Sequence, residues 1–360
     1  MTFSTLILMV AGKKISIRDR IIIQNGFHPA APRNMQSLVK NIFLYALTIE
    51  LLGCLSLFLR WQKEFSWLQA LFHSLFHSVS AFCNAGFSRF SQNLANYRGD
   101  VWVNLTIILL IVFGGLGFLV LQELKEGFSG IFRRKKIHIS LHAKLVLTMT
   151  SCLIVFSFII FFIIERNNSL EMFSLKEKIL ASLFQVVTPR TAGYNTMDLN
   201  TLGVASVFLL IVLMFIGASP GSTGGGVKTS TVGVIIAFLR SRIAARDSVN
   251  IFYRTLPQES VIKAYTIVTL ALSLLAFSSF VLFLSQPWAR MIEVFFEVFS
   301  AFGTVGLSLG ITPKLSSLGK IMIILTMYIG RIGPLTFLYA FSREKSFGRY
   351  EYVEENVMIG

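Results

Sequence analysis

Three short segments hold the residues best placed to do chemistry, and the chemistry is that of backbone oxygen. They are Phe82-Cys83-Asn84-Ala85-Gly86-Phe87-Ser88, Arg190-Thr191-Ala192-Gly193-Tyr194-Asn195 and Phe302-Gly303-Thr304-Val305-Gly306-Leu307-Ser308. In each, a small or β-branched residue precedes a glycine, a bulky apolar residue follows, and then comes Ser or Asn. The first and third align without a gap back through Phe76-His77 and Phe296-Glu297, and the repeat is about 110 residues. Glycine adopts the φ > 0 conformations that turn carbonyls inward. A helix ending just before it offers partial negative charge to a cation. Rings of such carbonyls replace the hydration shell of potassium. The candidate ion site is therefore Asn84, Ala85, Gly86; Thr191, Ala192, Gly193; and Thr304, Val305, Gly306, with potassium at Gly86, Gly193 and Gly306. One glycine per segment implies a short filter with few stacked sites. The plainer reading, turn glycines between membrane helices, suits any one segment better than three in matching context.

A second constellation is Gly217-Ala218-Ser219-Pro220-Gly221-Ser222-Thr223-Gly224-Gly225-Gly226-Val227-Lys228-Thr229. A phosphate-binding loop needs Lys directly after Gly, and here Val227 intervenes. The physical use that fits is a flexible break in a pore-lining helix, crossing the permeation path below the filter. Such backbone is tolerated at membrane depth only where it is wet or paired. A simple helix kink is the plainer alternative.

These segments need a membrane scaffold. Hydrophobic residues make up 54% of the 360 residues and charged ones 14%, with mean hydropathy +0.68. That composition excludes an ordinary soluble domain. The apolar runs are of span length and do not alternate, which selects helices. Complete spans are expected at 38–59, 101–121, 141–164, from Val204, at 261–284 and at 318–341, with short pore segments at 68–82, 175–188 and 291–302. Trp61 and Trp67 read as interface markers. Gly114-Gly115-Leu116-Gly117 permits close helix contact. The net charge of +15 resides in loops: Lys13, Lys14, Arg18 and Arg20; Arg133 to Lys136; Arg240, Arg242, Arg246 and Arg254; Arg343, Lys345 and Arg349. All four fall on one side, which is cytoplasmic by the positive-inside rule, so nucleic acid is not the expected partner. The fold class is an all-α integral membrane protein, with repeats of helix, re-entrant pore helix, filter and helix around a central pore. The expected units are 1–34 (end of a first-repeat inner helix and a cytoplasmic segment), 35–136, 137–256 with the loop, 257–343, and a tail at 344–360. On this reading the chain begins just after a first copy of the repeat.

Ionisable residues inside spans are functional candidates. Arg331, beside Gly330 and Gly333, would contact the Gly217–Thr229 loop or snorkel to the interface. Glu297 would attract cations or only hydrogen-bond its neighbours. Its counterpart His77 reads as a structural hydrogen-bonder, and Glu50 lies in the first complete span. Lys228 would anchor the loop or, slightly favoured, face the cytoplasm. Cys54, Cys83 and Cys152 read as small buried residues.

These residues resemble the Ktr/Trk/HKT superfamily of potassium transporters, and most the Ktr-type membrane subunit. Asn84 to Ser88, Thr188 to Asn195 and Ser300 to Ser308 are similar to that family's second, third and fourth filters. Gly217 to Thr229 is similar to its intramembrane gating loop. Ile329-Gly330-Arg331-Ile332-Gly333-Pro334 is similar to its last pore-lining helix, whose arginine contacts that loop. The resemblance implies potassium translocation across the cytoplasmic membrane, often sodium-stimulated, rather than enzymatic activity. It implies potassium as transported ion with no other cofactor, a homodimer surrounded by lipid, and a separate cytosolic nucleotide-binding ring of the KtrA or TrkA type. The first filter of the family is not found, so a truncated, inactive remnant is one alternative. A secondary transporter of another cation is the other.

Overall fold

The computed structural model describes residues 35–132 and 139–341. The expected first unit, the basic residues up to Arg20, those at 133–136 and the tail beyond Arg343 lie outside them. The described chain runs three times through one sequence of elements. A long helix (α1, Met35–Trp61) leads to a short one (α2, Trp67–Phe82), a filter segment and an inner helix broken in two (α3, Val101–Leu116; α4, Phe118–Phe132). The second pass is α5 (Leu141–Glu165), α6 (Leu175–Val187), α7 (Val204–Phe215) and α8 (Thr229–Ile243). The third is α9 (Gln258–Ser285), α10 (Met291–Gly303), α11 (Ser317–Ile332) and α12 (Pro334–Phe341). A two-residue hairpin, β1 (Asn250–Ile251) with β2 (Arg254–Thr255), joins α8 to α9.

The long helices α1, α5 and α9 are long and apolar enough to cross a bilayer. On α5, Val155, Phe156, Ile159 and Ile163 are exposed on the outside, as suits a helix whose solvent is lipid. Side-chain caps start some of the helices: Ser174 and Glu177 form a reciprocal capping box on the short helix α6, and the Asp100 carboxylate accepts the Trp102 and Val103 amides of the inner helix α3. The short helices are too brief to cross and lead straight into the filters.

Two expected spans are not continuous. The stretch 101–121 bends by 106° between Leu116 and Phe118, and 318–341 breaks between Ile332 and Pro334. The cause is visible at Gly117 (φ +90°) and Gly333 (φ +99°), conformations that L side chains rarely adopt. The middle inner helix is broken too, between Phe215 and Thr229, and opens into residues 216–228. So all three inner helices are broken, not one. Trp61 is also not an interface marker: it is fully buried and packs edge-on against His77 and Phe90.

Two glycines allow the inner helices to touch the filters' supports. A Cβ on Gly114 would lie 2.0 Å from the Phe82 carbonyl oxygen, and one on Gly330 would lie 2.0 Å from that of Phe302. Phe82 and Phe302 occupy matching places in the two repeats. Neither obstacle is a side chain that can swing away. Gly114→Ala is expected to destabilise the fold by about 3 kcal/mol, the upper end of overpacking costs. Thermal unfolding of the detergent-solubilised protein checks this: the midpoint should fall clearly, and an unchanged midpoint would contradict the packing.

Candidate functional site

The filter segments share one backbone conformation. The residue two before each glycine has positive φ: Asn84 at +50°, Thr191 at +75° and Thr304 at +51°. The glycines follow at +70° (Gly86), +83° (Gly193) and +88° (Gly306). Alternation of left-handed and ordinary residues turns successive carbonyls in a way no regular helix or strand does. The intervening amides are held from behind: Ala85 N–H donates to Ser80 O (2.9 Å), Ala192 N–H to Thr188 O (2.9 Å) and Val305 N–H to Ser300 O (2.9 Å). The amides are thus spent on the pore helices, which leaves the filter carbonyls free.

The three segments also touch one another in sequence. A Cβ on Gly86 would lie 2.3 Å from Ala192 O, and one on Gly193 would lie 2.1 Å from Val305 O. Each of these carbonyls therefore lies against the glycine of the preceding segment. On Gly306 the same position meets nothing within 4 Å. Tyr194 adds a brace, its hydroxyl donating to Phe87 O (3.0 Å).

The ionisable candidates behind the filters act as struts. Glu297 is buried and accepts from Ser308 Oγ (2.8 Å) and from Thr312 Oγ1. His77 holds the matching place: its Nε2 pairs with Ser88 Oγ (3.1 Å). Each thus fixes the hydroxyl two residues after the filter glycine, and of the two readings of Glu297 the hydrogen-bonding one fits. Ser88 and Ser308 carry this role although only their place in the repeat pattern hinted at it. The middle repeat has buried Phe184 at the equivalent place, and there the Thr188 hydroxyl donates to Tyr194 O just after the glycine instead. Glu50 accepts weakly from Cys83 Sγ (3.8 Å). Cys54 is buried as expected, but Cys83 and Cys152 are exposed: Cys152 lies on the outer side of α5, and Cys83 lines an apolar groove beside α2. Glu297→Leu leaves two hydroxyls without their acceptor, at about 1–3 kcal/mol. It is expected to lower rubidium uptake about tenfold or more, with Glu297→Gln intermediate. Equal uptake by all three proteins would remove the strut role.

Residues 216–228 lie directly against the filters, and successive residues meet successive segments. Thr223 Oγ1 accepts from Asn84 Nδ2 (3.0 Å) and lies 3.2 Å from Phe82 O and 3.1 Å from Gly114 O. A Cβ on Gly224 would be 2.3 Å from Thr191 Oγ1, and one on Gly225 would be 2.7 Å from Thr304 Oγ1. Only glycine brings a backbone this close. The loop also answers the broken helices, whose last turns leave carbonyls without partners. Thr223 N–H donates to Gly114 O, Ser219 N–H to Gly115 O, and Gly226 N–H to Gly330 O. Ser219 and Thr229 pair through their hydroxyls at 2.8 Å. A single parallel bridge, Ile216 with Val227, closes the loop's base.

Two expectations about charge change here. Lys228 does not face the cytoplasm: its Nζ donates to Gly224 O (2.7 Å) and ties the loop to itself. Arg331 reaches a filter residue, Thr304 Oγ1, at 3.4 Å. Its helix meets the loop through the backbone of Gly330 instead. On the outer side, Arg60 pairs with Asp100 (2.5 Å) and Glu64 (2.7 Å). Burial, and then the hydrogen bond to Glu64, push the Tyr97 phenol well above its ordinary range.

The family model described as "TrkH: Cation transport protein" matches residues 30–350. The chain is 40% identical over 353 residues to the Ktr system potassium uptake protein B of Bacillus subtilis (strain 168), covering 97% of this chain and 78% of that one. It is 36% identical to the potassium/sodium uptake protein NtpJ of Enterococcus hirae, over 100% of this chain and 80% of that one. The crystal structure of the potassium transporter TrkH from Vibrio parahaemolyticus has the same fold, with TM-score 0.70 at 19% identity. That match covers 88% of this chain and 66% of the solved one.

Proposed function

Because the chain belongs to the TrkH family of cation transport proteins, we propose that this multi-pass membrane protein moves potassium through a pore lined by the carbonyls of its filter segments. The observation that carries the reading is the shared backbone: a left-handed residue and then a positive-φ glycine in each of three segments. Asn84 to Gly86, Thr191 to Gly193 and Thr304 to Gly306 serve as the filter. Replacing water oxygens by carbonyl oxygens at low cost is what selects potassium in such a site. Names of relatives at 36% to 40% identity, potassium uptake and potassium/sodium uptake, support the same ion.

Residues 216–228 serve as the gate. They lie against all three segments and are held by hydrogen bonds that can be exchanged. Lys228 stabilises the loop's own turn, and Arg331 joins the last filter to the last inner helix. Thr191 Oγ1 and Asn84 Oδ1 are buried without protein partners beside the loop, as suits a path that an ion and its water use. A homodimer and a cytosolic nucleotide-binding ring complete the proposal, supported by relatives named as parts of a Ktr system. Sodium stimulation belongs to the same proposal.

The test is rubidium-86 uptake into liposomes holding the purified chain. Uptake competed by potassium more strongly than by sodium is expected. Equal competition by both would replace the reading with a cation pathway that does not discriminate. No uptake under an imposed gradient would reject it.

A further inference from the structure

On the basic side of the protein a groove of about 790 Å³ lies beside α8 and α9, which touch edge-to-face through Phe238 and Tyr265, and Thr255 of the short hairpin lines it too. Its walls divide by chemistry. Phe238, Ile262 and Leu270 give it apolar lining, while Arg242, Ser248 and Gln258 give it polar lining. Asp247 is the acidic residue on the lining. Around it the segment 238–263 carries five basic side chains, Arg240, Arg242, Arg246, Arg254 and Lys263, against two acidic ones, Asp247 and Glu259. None of the five forms an ion pair among the described residues. Arg242 instead lies over the Phe238 ring at 5.1 Å from its centroid, with its charge left for a ligand.

The groove has a definite length. Gln258 and Leu270, the first and last of its lining residues on α9, sit on one helix, which places them about 18 Å apart at about 1.5 Å per residue. Half of a hydrocarbon core of about 30 Å is about 15 Å. The groove is therefore about as long as one leaflet is deep, counted from the side that the basic residues mark as cytoplasmic.

We propose that this groove binds one anionic phospholipid of the inner leaflet, its phosphate at Arg242 and its acyl chain along Phe238, Ile262 and Leu270. A soluble phosphate would use the polar lining and leave the apolar lining uncovered. A basic pocket between spans on the cytoplasmic side has the chemistry of an anionic headgroup site. The bound lipid would tie the gate-bearing helix α8 to α9.

The test is native mass spectrometry of the full chain, exchanged into micelles containing equal phosphatidylglycerol and phosphatidylcholine. The wild-type protein should retain one phosphatidylglycerol in preference to phosphatidylcholine. The double substitution Arg242→Gln, Arg246→Gln should weaken retention about thirtyfold, from about 1 kcal/mol per basic side chain near an anionic lipid. Thr269→Trp, which fills the Leu270 end at an exposed position without changing charge, should abolish retention. Both variants alter exposed residues, and an unchanged elution volume checks their folding. Equal retention by wild type and both variants overturns the proposal, as does retention of phosphatidylcholine equal to that of phosphatidylglycerol. A lipid-free dimer broken by Thr269→Trp would assign the groove to a second copy instead. Binding of inorganic phosphate alone would reduce it to a headgroup-sized anion site.

Discussion

Gly193→Ala is expected to bring rubidium uptake down to background while the protein still reaches the membrane. Two separate costs act at that residue. Its φ of +83° belongs to the left-handed region, where an L side chain costs about 1–2 kcal/mol. Its Cβ would also sit 2.1 Å from Val305 O, and that oxygen is part of the adjoining filter segment. The middle and last segments must separate, and the carbonyl geometry they share is lost with them. Gly86→Ala should act in the same way through Ala192 O, at 2.3 Å. Gly306→Ala carries the conformational cost alone, because nothing lies within 4 Å of its Cβ position. The expected order of damage in this 360-residue chain is thus Gly193 and Gly86 well ahead of Gly306. Equal loss at all three would mean that backbone conformation, not contact between segments, sets the filter.

Thr223→Ala is expected to act in the opposite direction and raise uptake. The loop rests against the filters, and this hydroxyl connects it to Asn84 and to the carbonyls of Phe82 and Gly114. Removing it leaves buried partners unmet in the obstructed arrangement, at about 1–3 kcal/mol. A loop displaced from the path loses nothing by the change. The balance shifts toward displacement by the same amount, a factor of roughly 5 to 150. Initial uptake should rise until displacement is complete. The readout is initial rubidium uptake at matched protein content in liposomes. A fall in uptake would mean that Thr223 supports the open path rather than the closed one.

Much of this was legible in the residues because glycine is used where nothing else fits. Gly86, Gly193 and Gly306 stood out by their repeated neighbours, and the structure gives them positive φ. The helix class, the short pore segments and the loop at 217–229 followed from run length and from composition. The breaks after Leu116 and Ile332 were not legible. Each is made by one glycine's dihedral, and hydropathy runs straight across it. Trp61 looked like a membrane-interface residue because sequence gives its depth along the chain, not the side it faces. Lys228 was misplaced for a related reason: its acceptor, Gly224 O, is four residues away in an irregular loop. The filter-to-filter contacts at Ala192 O and Val305 O join segments about 110 residues apart. No local pattern encodes such contacts.

The central claim is that backbone oxygens of these three segments hold the ion. Crystals of the protein grown in rubidium, with anomalous scattering measured at the rubidium edge, test it most directly. The account predicts an anomalous peak among Gly86, Gly193 and Gly306, surrounded by filter carbonyls and lost when rubidium is replaced by sodium. A peak at Glu297 or Glu50, with none between the glycines, would contradict it.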